Sequence, residues 1–226
     1  MTDQPTLSNA VIAILGGTGK EGKGLAYRWA RAGYNVIIGS RTAEKAQAAA
    51  AELLALAGGD KLIRGMVNLE AAQVASIVVV TVPYSAHRET LEGLKSALPG
   101  KLVIDVTVPL VPPRVTRVQM PPAGSAAMEA FQIIGEGAQV ASAFHNISYE
   151  HLLNDEPIEC DVLVCGSSKA VRSAALGLVQ AAGLVGFDAG PLENSVVAEG
   201  LTSILIGINK QYEVQSAGIR ITGVPR

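Results

Sequence analysis

At 226 residues the chain has room for one large domain, or for one domain and a small lobe. A hydrophobic share of 49% against 17% charged residues describes a globular protein with a substantial core. A net charge of −2 without a basic tract, and an aromatic share of only 4%, argue against nucleic acid, an anionic membrane or a base-stacking platform as partner.

The opening residues 1–10 are polar and carry no basic region before an apolar stretch, so no secretory leader is expected. No uninterrupted apolar run is long enough to span a bilayer. Val11 to Leu15 reads as a short buried strand, followed by glycines and then a helical pattern from Leu25 to Ala32 that Gly33 ends. Between strand and helix stands G-x-G-x-x-G as Gly17, Gly19 and Gly22, in the order that makes this motif a dinucleotide site. Gly17 is expected to turn the chain, Gly19 to let the backbone approach a pyrophosphate, and Gly22 to let helix and strand pack closely. Free N–H groups at the helix start face the anion, and the Thr18 hydroxyl adds a donor. The stretch also fits the first part of a P-loop, but Gly24 follows Lys23 where Ser or Thr would hold Mg²⁺.

Asn35 to Gly39 returns as a second strand and completes a β-α-β unit. An NAD site places a carboxylate at the end of this strand, where it accepts from the ribose 2′-hydroxyl. Here the strand ends on Ser40 and Arg41, with Thr42 as N-cap and Lys45 on the next helix. Arg41 can pair bidentately with a phosphate and stack on an adenine face. The reading is NADP over NAD.

Thr42 to Leu56 is a strong helix closed by Gly58-Gly59. A third strand at Lys61–Met66 and a short helix at Leu69–Ala75 follow. Ile77 to Val82 is a continuous β-branched run, as in a parallel sheet buried on both faces, and Pro83 ends it. A helix from Ser85 to Leu98 and a strand from Leu102 to Val106 come next. Residues 109–124, with Pro109, Pro112, Pro113, Pro121 and Pro122, form neither a regular helix nor a central strand. This loop leaves a strand at the edge where α/β sheets bind ligands, as a rigid connector or as one wall of a pocket.

Beyond it lie a helix at Ser125–Ile134, a strand at Val140–Phe144 running into His145-Asn146-Ile147, and a strand at Cys160–Cys165. A helix at Ser168–Ala182, a strand at Leu184–Phe187, a turn at Asp188–Leu192 and a long helix at Glu193–Asn209 complete the chain, with a short tail. The two cysteines are five apart, on opposite faces of a strand, and read as small buried residues in a reducing cytoplasm. No metal site is visible. Strands alternating with helices give an α/β fold: a Rossmann-like doubly wound, mainly parallel sheet with a small C-terminal α/β lobe. The division expected is an NADP-binding domain over residues 1–145 and a smaller C-terminal region over 146–226. The last helix is apolar over more than one face, which predicts a homodimer with this helix near the interface.

Hydrolytic signatures are absent, and none of the five tyrosines has Lys four residues later, the pair by which short-chain dehydrogenases move a proton with the hydride. Reducing a carbonyl creates an alkoxide that needs a placed acid. Reducing a delocalised ring spreads the new charge and lets solvent supply the proton. An NADP site without an evident acid therefore fits ring-to-ring hydride transfer.

The chain resembles the NADPH-dependent reductases of coenzyme F420, a deazaflavin, over nearly its whole length. The resemblance is carried by Ala13-Ile14-Leu15-Gly16-Gly17-Thr18-Gly19 with Gly22-Lys23-Gly24, Gly39-Ser40-Arg41 with Lys45, and Thr81-Val82-Pro83. Ser142-Ala143 with His145, Asp188 to Leu192, and Leu201-Thr202 continue it in the same order. It implies that Thr18, Gly19, Lys20 and Glu21 line the pyrophosphate and that Ser40, Arg41 and Lys45 hold the 2′-phosphate. It also implies that Val82 lies near the dinucleotide, His145 and Ile147 where the nicotinamide and deazaflavin rings meet, and Thr202 near the deazaflavin. A homodimer is implied as well. On the last helix the family pattern has Arg and Ser where this chain has Val196 and Gly200. Two other functions use the same features: an NADP-dependent reductase of an imine, flavin or ferric chelate, and a non-catalytic NADP-binding sensor with no room beside the nicotinamide.

Overall fold

The structure is a computed structural model that describes residues 10–58 and 62–225. The readings of residues 1–9, of Gly59 as a helix stop and of Lys61 as a strand start lie outside the described residues. Eight strands form one sheet: β1 (Val11–Leu15), β2 (Asn35–Ser40), β3 (Ile63–Val67), β4 (Ile77–Val80), β5 (Leu102–Asp105), β6 (Gln139–Ser142), β7 (Asp161–Gly166) and β8 (Val185–Pro191). Their order is β3-β2-β1-β4-β5-β6-β7-β8. Every neighbouring pair is parallel except β6 and β7, which run antiparallel. The C-terminal strands thus extend the edge of the same mainly parallel sheet.

Helices α1 (Lys20–Arg31), α2 (Ala43–Ala57), α3 (Asn68–Val74), α4 (Tyr84–Leu94), α5 (Ala126–Ile134), α6 (Lys169–Ala181) and α7 (Ser195–Tyr212) cover it. The period of two along a strand explains the apolar runs. Ile12, Ile14, Ile77 and Val79 point into one core with Leu25, Trp29, Leu53 and Leu178. Ala13, Leu15, Val78 and Val80 point into a second core with Ala71, Leu91 and Ala130. Both faces are dry, so both sets of alternating positions are apolar. Each fully buried Ile or Val contributes on the order of 1.5–3 kcal/mol.

Element ends differ from the sequence reading for local reasons. Ser125 and Ser168 are N-caps, accepting from Met128 N at 3.0 Å and Val171 N at 3.2 Å, so α5 and α6 start one residue later. β6 stops at Ser142 because Phe144 takes a left-handed φ of 70°. Helix α4 ends at Leu94, and residues Lys95–Ala97 tighten into a 3-10 turn. Strand β8 runs on to Pro191, taking most of the expected turn, and α7 runs from Ser195 to Tyr212 rather than from Glu193 to Asn209. Cys160 falls just before β7, and both cysteines are free and buried.

The tail folds back on the body. Asp161 N donates to Ile219 O at 2.8 Å, Ile221 N to Asp161 Oδ2 at 2.6 Å, and Ala217 N to Asn209 Oδ1 at 2.8 Å. No helix among the described residues is long and apolar enough to cross a membrane, and no group of three or more His, Cys, Asp or Glu among them is placed to hold a metal.

Candidate active site

The order of the sheet reverses at β1, whose chain goes first to β2 on one side while β4 lies on the other. A crevice at the carboxyl ends of strands forms at such a switch point. The glycine turn fills its β1 side. The left-handed position belongs to Gly16, at φ +72°, not to Gly17. Gly17 has a different duty: a Cβ there would stand 2.8 Å from Ile14 O, and its N–H donates to Ile14 O at 3.1 Å and to Gly39 O at 3.0 Å. A Cβ on Gly22 would meet Gly17 Cα and Thr81 Oγ1, each at 2.7 Å, so Gly22 is the close-packing glycine the motif requires.

Gly19 faces open space, with only Gly16 O near its would-be Cβ, at 3.5 Å. It is also the N-cap of α1 and supplies no side-chain acceptor, which leaves the first N–H groups of α1 unclaimed by a cap. That is the cradle an anion fits. The last bond of the turn toward β2 brings Ser40, Arg41 and Lys45 alongside. Ser40 is buried at the end of β2, whereas Arg41 and Lys45 are exposed and have no ion-pair partner among the described residues. Thr42 holds the N-cap position of α2 without a capping bond, and Glu44 on the same first turn is also exposed.

Next to this edge opens a cleft of about 610 Å³. Thr81, Val82 and Thr107 form its floor after β4 and β5; Leu110, Pro112 and Val115 of the proline-rich loop form one wall. Residues Phe144 to Tyr149 face them, α7 contributes Thr202, Leu205 and Ile206, and the tail adds Gln215 and Ala217. Glu21 closes the side toward the glycine turn. Of the residues singled out from the sequence, Glu21, Val82, His145, Ile147 and Thr202 therefore meet in the cleft. The other glycine-turn residues, with Ser40, Arg41 and Lys45, lie along the adjoining strand ends.

His145 is positioned by backbone on both sides. The left-handed Phe144 turns the chain out of β6, and Thr202 Oγ1 donates to His145 O at 2.8 Å. Its Nε2 lies 3.5 Å from Ser142 Oγ, while Nδ1 is buried without a partner among the described residues. Burial lowers its pKa to about 4, outweighing the Asp105 charge and a hydrogen bond to the Asp105 backbone, so the ring is neutral at physiological pH. Ile147 is buried beside it, its N–H donating to Phe144 O at 3.2 Å.

Behind the floor is a buried charge network that the sequence reading did not find. His87 Nε2 lies 2.6 Å from Asp105 Oδ2, and His87 Nδ1 lies 3.4 Å from Glu129 Oε2; Arg88 also pairs with Glu129. Burial pulls the His87 pKa down, but the two carboxylates outweigh it and hold it above the ordinary value. Burial likewise opposes ionised Asp105, yet His87 and the Thr107 N–H, at 2.9 Å, keep its pKa below the carboxylate range. Thr107 Oγ1 in turn donates to Val82 O at 3.3 Å, so the network fixes the floor. On α7, Glu199 accepts from Ala126 N at 2.7 Å and Ala127 N at 3.1 Å, locking α7 to the start of α5. The one available signal was Asp105, a carboxylate closing an otherwise apolar strand.

The match of residues 11–109 to the family described as NADP oxidoreductase, coenzyme F420-dependent, covers β1 through the start of the proline-rich loop. The chain is 42% identical to the F420-dependent NADP reductase of Methanothermobacter marburgensis, over 95% of this chain and 99% of that protein. The chain belongs to the F420-dependent NADP reductase family. It is 40% identical to the reductase of the same description from Methanocaldococcus jannaschii, over 94% of this chain and 98% of that one. A solved structure from Arthrobacter sp. FB24, provisionally described as an F420-dependent NADP-reductase, superposes with a TM-score of 0.79 at 21% identity, over 93% of this chain and 98% of that one. The last comparison speaks for the fold alone.

The two positions of α7 where the resemblance leads one to expect Arg and Ser have different surroundings. Val196 is 37% exposed on α7. Gly200 is buried against the proline-rich loop, where a Cβ would lie 3.2 Å from Met120 Cε and 3.4 Å from Val118 Cγ1. A side chain at 200 would need the ends of Met120 and Val118 to give by a few tenths of an ångström, so the glycine fits closely against this chain's own loop.

Proposed function

We infer that this protein is an oxidoreductase that moves a hydride between NADP(H) and the deazaflavin coenzyme F420. The observation that carries the reading is the roomy apolar cleft beside the glycine turn, with a neutral His145 in its wall. A redox sensor would need no such room beside the nicotinamide. Gly17 to Gly22 would hold the pyrophosphate, and Ser40, Arg41 and Lys45 the 2′-phosphate. Val82, His145, Ile147 and Thr202 would hold the two rings face to face, with reacting carbons at the roughly 3–3.5 Å of a near-attack geometry. The nicotinamide C–H bond breaks, and its hydrogen passes with the electron pair to a carbon of the acceptor ring. One proton then completes the reduced deazaflavin. The chain's share is positioning and exclusion of water.

Two finer points belong to the same proposal. The protein works as a homodimer, for which the apolar outer face of α7 is the support, and it resides in the cytoplasm, consistent with two free thiols. Residues 1–145 would carry NADP, and residues 146–226 would complete the acceptor pocket. Purified protein mixed with NADPH and oxidised F420 should bleach the visible absorbance of F420 at a rate proportional to protein. Tight NADPH binding with F420 untouched, while a flavin, imine or ferric chelate is reduced, would replace this acceptor.

A further inference from the structure

Glu21 stands where the glycine turn meets the cleft, as the second residue of α1. Its Oε1 is buried and has no hydrogen-bond partner among the described residues. An ionised carboxylate at that place has the N-terminal end of α1 but no ion-pair partner to offset its burial, and it would face the negative charge of a bound pyrophosphate. The nearby cations are engaged elsewhere. Lys20 Nζ donates to the Tyr149 hydroxyl at 3.2 Å and lies 4.5 Å from the centre of its ring. Lys23 pairs with Glu52, and Arg28 donates to the carbonyls of His151, Leu152 and Glu156. Thr81, which shares the cleft floor, spends its hydroxyl on Leu15 O at 2.9 Å.

The titratable groups that share the cleft with Glu21 are Tyr84 at the start of α4, His145 after β6 and Tyr149 in the 3-10 turn; Asp105, His87 and Glu199 lie in the network behind it. None of them shifts the Glu21 carboxyl, which burial alone pushes up to about 8.

Given NADPH as the ligand, we propose that Glu21 works as a neutral carboxylic acid whose O–H donates a hydrogen bond to an acceptor oxygen of the dinucleotide, so that capture of NADPH is linked to one bound proton. A neutral acid satisfies the open Oε1, adds a donor to the cradle and removes the repulsion. The sign follows from linkage. The protonated form binds, so affinity is full at pH 7 and falls as pH rises through and above about 8, toward a ~10-fold loss per pH unit.

The test is the Kd of NADPH from pH 7 to 9.5, a range above the second ionisation of its 2′-phosphate, near pH 6. Wild type should weaken with pH, whereas Glu21→Gln, which keeps a donor and cannot ionise, should give a Kd independent of pH whatever its value. Calorimetry of the wild type at pH 9 in two buffers of different ionisation enthalpy should report uptake of close to one proton per NADPH. The buried Glu199, also raised to about 8 by burial, is the competing source of a pH effect. A pH slope that survives in Glu21→Gln, a flat wild-type profile, or zero proton uptake each overturns the proposal while leaving NADPH as the ligand. Absence of NADPH binding at pH 7 overturns the proposal and the function together.

Discussion

Arg41 and Lys45 are exposed cations without an ion-pair partner among the described residues, next to a turn whose own N–H groups no side chain caps. A side chain kept uncompensated beside an anion cradle is the place to test a reading of the 2′-phosphate. A charge-assisted hydrogen bond contributes roughly 1.5–3 kcal/mol, so Arg41→Ala should weaken NADP by roughly 10–100-fold. NAD, which has no 2′-phosphate, should bind equally to both proteins. Titrating each cofactor against each protein checks this, and equal losses for NAD and NADP would remove Arg41 from the role. At this scale the sequence was most informative where a residue's duty is local. Gly22 packs as closely as the motif spacing implies, while the left-handed position of the turn falls at Gly16. The burial of Glu21 was not legible, because it comes from elements far along the chain packing over the glycine turn.

Helix α7 shows what an element inherits from both sides. Ala198, Glu199, Gly200, Ser203 and Leu205 are buried, and Thr202 reaches the cleft. The opposite side exposes Val197 at 69%, Ile204 at 53% and Tyr212 at 67%. Apolar residues on the outer face of a helix already packed inward point to a covered surface. Light scattering at micromolar concentration should therefore return twice the monomer mass, and a monomer mass would remove the dimer. The strands were legible because runs such as Ile77–Val80 are buried on both faces, and the starts of α5 and α6 because Ser125 and Ser168 cap them locally. The buried pair of His87 with Asp105 and the return of the tail onto β7 were not legible. Each joins segments by tertiary contact, which leaves no periodic trace in the sequence.

At the scale of the whole molecule, one sheet brings the dinucleotide turn after β1, the buried network beneath β5, the His145 turn after β6 and α7 to a single edge. The C-terminal strands are added to that sheet, so the second wall of the cleft has a rigid base. The task proposed for the cleft is to hold two flat rings in contact and away from water. Direct transfer is the central claim, and isotope transfer tests it most directly. NADPH is labelled with deuterium at C4 of the nicotinamide, in each of the two epimers, and reacted with oxidised F420 in ordinary water. The account predicts that one epimer delivers its deuterium to the reduced F420 nearly stoichiometrically. Reduced F420 that carries no deuterium from either epimer would contradict it.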